Sequence, residues 1–301
     1  MSTTDLTTER AARHRTDPVL EIDQFSVDYA GATITHAVKN VSLSLGRNEI
    51  LGLAGESGCG KSTLAYGITR LLKPPALITN GHAVFHSREG NTIDLGQLSG
   101  EELRQFRWDK ISMVFQGAMN SLNPVISIGA QLEDIFTTHR PEMSRADRRT
   151  RSGELLERVG VEASRLKSFA HELSGGMRQR VMIAMAMALD PQVMIMDEPT
   201  TALDVVVQRE ILDEITRLRE ELGFAVIFIT HDLPLLLEIS DRIAVMRAGE
   251  IVELGEAASL YANPQHDYTK RLLSSFPSLT GERGDFIRTG VIDTAAAAAL
   301  S

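Results

Sequence analysis

The sequence predicts an α/β fold with a mixed, mainly parallel sheet, a helical subdomain inserted between its strands and a short C-terminal appendage. Three observations carry this expectation. Short apolar runs alternate with amphipathic helical segments. One such run feeds a glycine-rich turn that opens a helix, and a long Arg/Glu-rich stretch without strand pattern separates two others.

The elements follow in order. Residues 1–18 are polar, charged and without period, which reads as a mobile tail. VLEIDQFSVDY (19–29) alternates as a half-buried strand does, and ITHAVKNVSLSL (34–45) reads as a second. EILGLAGE (49–56) is apolar and ends on glycine, as a buried strand entering a loop would. KSTLAYGITRLL (61–72) reads as a helix stopped by Pro74 and Pro75. HAVFHS (82–87) and KISMVFQ (110–116) read as strands around the charged helix GEELRQFRW (100–108), and residues 130–170 as helical throughout. VMIMDE (193–198) is a second buried strand, VQREILDEITRLREEL (207–222) an amphipathic helix and AVIFITH (225–231) another strand. RIAVMRAGEIVELG (242–255) reads as a hairpin turning at Ala248-Gly249, and from Asn263 onward the composition suggests an appendage.

Composition removes several function classes. Of 301 residues, 40 are acidic and 31 basic, a formal charge of −9 that argues against a general nucleic-acid binder. A single cysteine excludes an intramolecular disulfide, a Cys-only zinc site and a cysteine-ligated iron–sulfur cluster. The longest apolar run, Val181 to Leu189, is nine residues, against about 20 needed to span a bilayer. The first residues lack the apolar stretch of a secretory signal, so the expectation is a soluble chain from a reducing compartment.

Gly55-Glu56-Ser57-Gly58-Cys59-Gly60-Lys61-Ser62-Thr63 fits G-x-x-x-x-G-K-[ST] after a strand and before a helix, the context a P-loop requires. Glycines let the backbone curl so that successive N–H groups point at phosphate oxygens, and the helix adds its positive dipole end. Lys61 is expected to reach the β- and γ-phosphates and Ser62 to ligate Mg²⁺. Asp197-Glu198 closes an apolar run. Alone the pair reads as a strand ending in acids at a solvated loop. Beside a P-loop, Asp197 is expected to hold Mg²⁺ through water and Glu198 to orient and deprotonate the attacking water. Ser174 takes an N-cap position before Gly175 and Gly176, which makes a second anion site at a helix start. A second phosphate-facing helix makes sense if it serves a nucleotide held by another subunit.

With LSGGMRQR (173–180) the chain resembles the ATP-binding subunits of ABC transporters over residues 19–275, Met177 standing where glutamine is most usual. The resemblance implies an ABC-type P-loop NTPase in which helices around 117–172, with the signature helix from 173, form a subdomain. Residues 276–301 would then be a C-terminal extension. It implies further roles. Tyr29 would stack on adenine, its alternative being a packed strand residue. Gln116 would sense Mg²⁺ and the attacking water, Asp204 would cross a dimer interface, and His231 would contact the γ-phosphate. The competing reading of His231, followed by Asp232, is a helix cap, and Asp232 is expected to be that cap.

VFQGAMNSLNP (114–124) and NPQHDYTKRLLSSFPSL (263–279) look like the oligopeptide/dipeptide/nickel branch of importers, related systems of which carry oligosaccharides. Some of that branch hold an iron–sulfur centre through a cysteine cluster, which this sequence lacks. The resemblance implies ATP and Mg²⁺, two permease subunits, a second and different ATPase chain, an extracytoplasmic solute-binding protein, and a peripheral place on the cytoplasmic face of the membrane. The competing reading is a soluble ABC ATPase acting on nucleic acid or ribosomes.

Overall fold

The computed structural model describes residues 17–274 apart from Ala202, so the expected tail, save residues 17 and 18, and the expected 276–301 extension lie outside the described residues. These residues fall into two compact units. One takes 17–86, 90–96 and 227–274; the other takes 87–89 and 97–226.

The first unit carries β1 (Pro18–Tyr29), β2 (Thr35–Gly46), β3 (Ile50–Ala54), α1 (Lys61–Ile68), β4 (Ala76–His86) and β5 (Thr92–Asp94). The alternating strands do not join one parallel sheet. They form a separate antiparallel sheet of order β2-β1-β4-β5, in which β1 faces β2 on one side and β4 on the other. Alternation is the reason, since a strand with one wet face suits an antiparallel sheet. All five residues of β3 are buried, as expected for a parallel strand covered on both faces. The three-residue β5, which pairs with β4, had no sequence signal of its own.

Helix α1 ends at Ile68 rather than running to residue 72, so the proline pair does not stop it. Arg70 turns left-handed at φ +57, its N–H donating to the Gly67 carbonyl and the Leu71 N–H to the Tyr66 carbonyl. These two bonds make a Schellman ending.

The second unit carries α2 (Gly100–Asp109), β6 (Ile111–Val114), α3 (Ile128–His139), α4 (Arg145–Arg158), α5 (Gly175–Ala186), β7 (Val193–Asp197) and α6 (Val205–Leu222). Residues 130–170 are not one helical run. Ser144 accepts from the Asp147 N–H to start α4, Gly160 ends it at φ +68, and short 3₁₀ turns follow at Ala163–Lys167 and Ala170–Glu172. β6 and β7 pair in parallel, Ile111 opposite Val193 through Val114 opposite Met196.

β8 (Ala225–Ile229) is where the chain crosses back to the first unit, followed by α7 (Leu233–Ile239), β9 (Arg242–Arg247), β10 (Glu250–Glu256), α8 (Ala257–Ala262) and α9 (Asp267–Ser274). Here the strand order runs β10-β9-β3-β8, with β9 parallel to β3 and antiparallel to β10. The β9–β10 turn falls at Ala248 (φ +49) and Gly249 (φ +91), as read from the sequence. The segment after Asn263 is not a mere appendage, because α9 buries Tyr268 and Thr269.

The β3–β9 pair is fixed at its base by a buried ion pair. Glu49, fully buried, accepts from the Gly46 N–H at 2.5 Å and from Arg242 Nη1 at 3.1 Å, and Arg242 also reaches the Ser44 carbonyl. Removing the carboxylate leaves a nearly buried guanidinium without its counter-charge. Glu49→Ala is therefore expected to lower unfolding free energy by about 3–5 kcal/mol. Urea denaturation checks this, and a midpoint equal to wild type would contradict it.

Candidate functional site

In the first unit, β3 delivers the chain into the glycine loop, where Gly55, Gly58 and Gly60 take φ of +148, +78 and +111. Two of these glycines are enforced by close approach as well. A Cβ at Gly55 would lie 2.3 Å from the Met246 carbonyl oxygen, and one at Gly60 would lie 2.3 Å from that of Ala37. The β9–β10 turn holds the loop from outside, the Gly249 N–H donating to the Cys59 carbonyl at 2.9 Å. Gly60 takes the N-cap of α1, so no side chain competes for the first N–H groups of that helix.

Lys61 is only 6% exposed. Its ammonium folds back over the loop, donating to the Gly55 carbonyl at 2.7 Å and the Glu56 carbonyl at 2.9 Å, with Cys59 Sγ at 3.7 Å. Ser57 and Gly58 are exposed at the loop crest, whereas Ser62 and Thr63 are half-buried in the first turn of α1. Tyr29, the last residue of β1, meets that turn through a 3.3 Å hydrogen bond between its hydroxyl and Thr63 Oγ1. His231 is exposed two residues beyond β8, and the preceding Thr230 N–H donates to the Leu53 carbonyl next to the loop. The structure thus brings Tyr29, the glycine loop and His231 to the carboxyl end of β3 and β8. Asp232 caps α7 by accepting from the Leu235 N–H, which leaves the cap role to Asp232 rather than His231.

In the second unit, Asp197 ends the fully buried β7 and is itself 1% exposed. Glu198 follows with a left-handed φ of +47, which turns its side chain out of the strand direction. Its Oε2 accepts from Gln116 Nε2 and from Thr201 Oγ1, both at 3.0 Å. Gln116 lies two residues past β6, the parallel neighbour of β7, so the pairing itself brings glutamine and glutamate together. Thr201 was not read from the sequence; its i+3 position from Glu198, with its N–H on the Glu198 carbonyl, is a turn relation that could have revealed it.

Ser174 caps α5, its hydroxyl accepting from the Met177 N–H at 3.2 Å while the side chain stays exposed. Gly176 has a packing duty, since a Cβ there would sit 2.6 Å from Val207 Cγ1 on α6. Asp204 caps α6 by accepting from the Val207 N–H at 3.0 Å, and the next two residues, Val205 and Val206, are 80% and 69% exposed.

Residues 38–201 match the ABC transporter family, and residues 252–298 match the oligopeptide/dipeptide transporter C-terminal region. The chain is 44% identical to a peptide import ATP-binding protein of Brucella abortus over 88% of this chain and 79% of that one. It is 41% identical to the dipeptide transport ATP-binding protein DppD of Bacillus subtilis, covering 87% and 78%. Among solved structures it resembles a dimeric ATP-binding cassette in a post-hydrolysis state bound to ADP and Pi. That likeness has a TM-score of 0.68 and 31% identity, over 79% of this chain and 98% of that one. A dimeric bacterial ABC transporter cassette gives 0.69, with 32% identity over the same shares.

Cys59, the single cysteine, is buried inside the loop beside Lys61. Nucleotide seated in the loop is expected to shield it from N-ethylmaleimide, slowing labelling by about tenfold once nucleotide exceeds its Kd tenfold. Mass spectrometry of the labelled chain gives the rates, and equal labelling with and without MgATP would count against the loop as the phosphate cradle.

Proposed function

The chain belongs to the ABC transporter family, and from that membership we propose how its residues drive peptide uptake. It is an ATP-hydrolysing transporter subunit. Its relatives are peptide and dipeptide import proteins, so it is the ATPase subunit of a peptide importer. The observation that carries the mechanistic reading is the glycine loop with its folded-back lysine.

In this reading the loop N–H groups and the α1 N-terminus bind the phosphates of ATP, and the Lys61 ammonium exchanges its carbonyl partners for β- and γ-phosphate oxygens. Tyr29 stacks on the adenine, supported by its tie to Thr63. Glu198 takes the proton of the attacking water, Gln116 and Thr201 fixing the direction of its carboxylate. His231 donates to the γ-phosphate as charge builds in the transition state. The hydroxyl of Ser62, the carboxylate of Asp197 and the amide oxygen of Gln116 are all hard oxygen donors, which fits Mg²⁺. Bound there, the ion would neutralise phosphate charge.

Two such subunits pair head to tail, so this chain's Ser174, Gly175 and Gly176 serve the nucleotide of a second ATPase subunit. A capping hydroxyl that takes one N–H keeps its own proton for a phosphate oxygen. Asp204 lies at the proposed dimer contact, and the exposed Val205 and Val206 beside it support that surface. Two permeases and an extracytoplasmic binding protein complete the importer, the second ATPase being a different chain. The helical segment 117–172 receives a permease helix in this arrangement. No helix among the described residues is long and apolar enough to cross a membrane. In the proposed importer the permeases hold this subunit at the cytoplasmic face. A soluble ABC ATPase acting on nucleic acid or ribosomes is not favoured, because residues 252–298 match a transporter region.

The test is Glu198→Gln in the assembled transporter, a change that keeps the hydrogen bonding but removes the base. Turnover of ATP is expected to fall by about 10²–10⁴-fold while nucleotide still binds. Turnover within a factor of a few of wild type would refute the assigned role.

A further inference from the structure

The peptide bond joining Gly55 to Glu56 is held on both edges. Its carbonyl oxygen accepts from Lys61 Nζ at 2.7 Å, and its N–H donates to the Tyr268 hydroxyl oxygen at 3.1 Å. The peptide unit is planar, so a rotation that loosens one bond loosens the other. The next carbonyl, of Glu56, takes a second Lys61 N–H at 2.9 Å. The position of the ammonium thus depends on a peptide plane whose far edge rests on Tyr268.

Tyr268 is itself fixed firmly. It is 4% exposed, and the Arg247 guanidinium lies 5.1 Å from its ring centroid. Its own N–H donates to His266 Nδ1 at 3.1 Å. The start of α9 is tied to β10, because Glu253 accepts from the Gln265 N–H at 2.7 Å and the His266 N–H at 3.0 Å. Burial would raise the Glu253 carboxyl, yet the hydrogen bond from the Gln265 N–H and its companions hold it below the usual range, so this tie stays ionised near neutrality. Burial also pushes the Tyr268 phenol above its ordinary value, so the ring keeps its proton at neutral pH. The contact is more than passive packing, because a buried phenylalanine would fill the same space without accepting from the loop.

We propose that Tyr268 is a positioning residue for nucleotide binding: its hydroxyl sets the plane of the Gly55–Glu56 peptide, and through it the seat of Lys61. Tyr268 lies within the part of the chain that matches the oligopeptide/dipeptide transporter C-terminal region. That region therefore acts on the phosphate loop directly, and a displacement of α9 is read out as a change in ATP affinity. The inference rests on the loop being the ATP cradle, so its test separates the two ideas.

The variant is Tyr268→Phe in the full-length chain, which deletes one oxygen and keeps the ring over Arg247. Without nucleotide, amide hydrogen exchange of the peptide containing Glu56 is expected to speed up about threefold to tenfold, the worth of one hydrogen bond. Exchange equal to wild type overturns the clamp whatever happens with ATP. With MgATP, KM is expected to rise by about the same factor while kcat changes less than twofold. Faster exchange with an unchanged KM overturns the link to nucleotide. A change in melting temperature as the sole effect assigns Tyr268 to packing and also overturns the proposal. A wild-type chain that binds no MgATP would sink the ATP cradle first, visibly in the wild type, and this inference with it.

Discussion

A lysine ammonium that is nearly sealed from water must be given oxygen partners, and the way Lys61 obtains them shapes the surrounding unit. Its partners are backbone carbonyls of the loop that precedes it, at Gly55 and Glu56. The same loop takes positive φ at Gly55 and Gly60 and passes so close to the Met246 and Ala37 carbonyls that no Cβ fits there. That close approach needs β9 in register beside β3 and the β9–β10 turn folded over Cys59. The buried Glu49–Arg242 pair secures the other end of the same strands. In the proposed reading an incoming phosphate could replace the carbonyls at little cost, because the loop already satisfies the ammonium with oxygens.

The second unit solves a different problem, that of aiming the Glu198 carboxylate at the end of a buried strand. Glu198 Oε2 accepts from the Gln116 amide and the Thr201 hydroxyl, which together fix the direction of its carboxylate. Its left-handed backbone costs roughly 1–2 kcal/mol, which the buried β7 and the flanking turn can sustain. Ser174 and Asp204 each cap a helix within this chain while remaining exposed. In the proposed dimer each oxygen would then serve folding and a partner at once. Their positions are fixed before any partner arrives, which lowers the ordering cost of association.

Much of this was legible in the sequence, for identifiable reasons. The continuous apolar runs of β3, β7 and β8 admit only buried strands, and the G-x-x-x-x-G-K-S spacing has one good use after such a strand. Local chemistry also revealed the Ala248-Gly249 turn and the Ser174 cap. What stayed hidden depends on distant partners or on competing ends. The alternation of β1 and β2 suits an antiparallel sheet, but the pairing of β1 with β4 depends on a partner distant in sequence. The helix from Lys61 kept its apolar period past Ile68, yet a left-handed Arg70 ended it. Tyr268 looked like part of an appendage, because nothing near it in sequence shows that it meets Glu56.

In the proposed mechanism Lys61, seated by the loop, anchors the nucleotide's phosphates. Isothermal titration of MgATP into the full-length chain and its Lys61→Ala variant tests it most directly. A lost charge-assisted contact of about 1.5–3 kcal/mol corresponds to a Kd raised by roughly tenfold to over a hundredfold. A folded variant that binds MgATP as tightly as wild type would contradict the account.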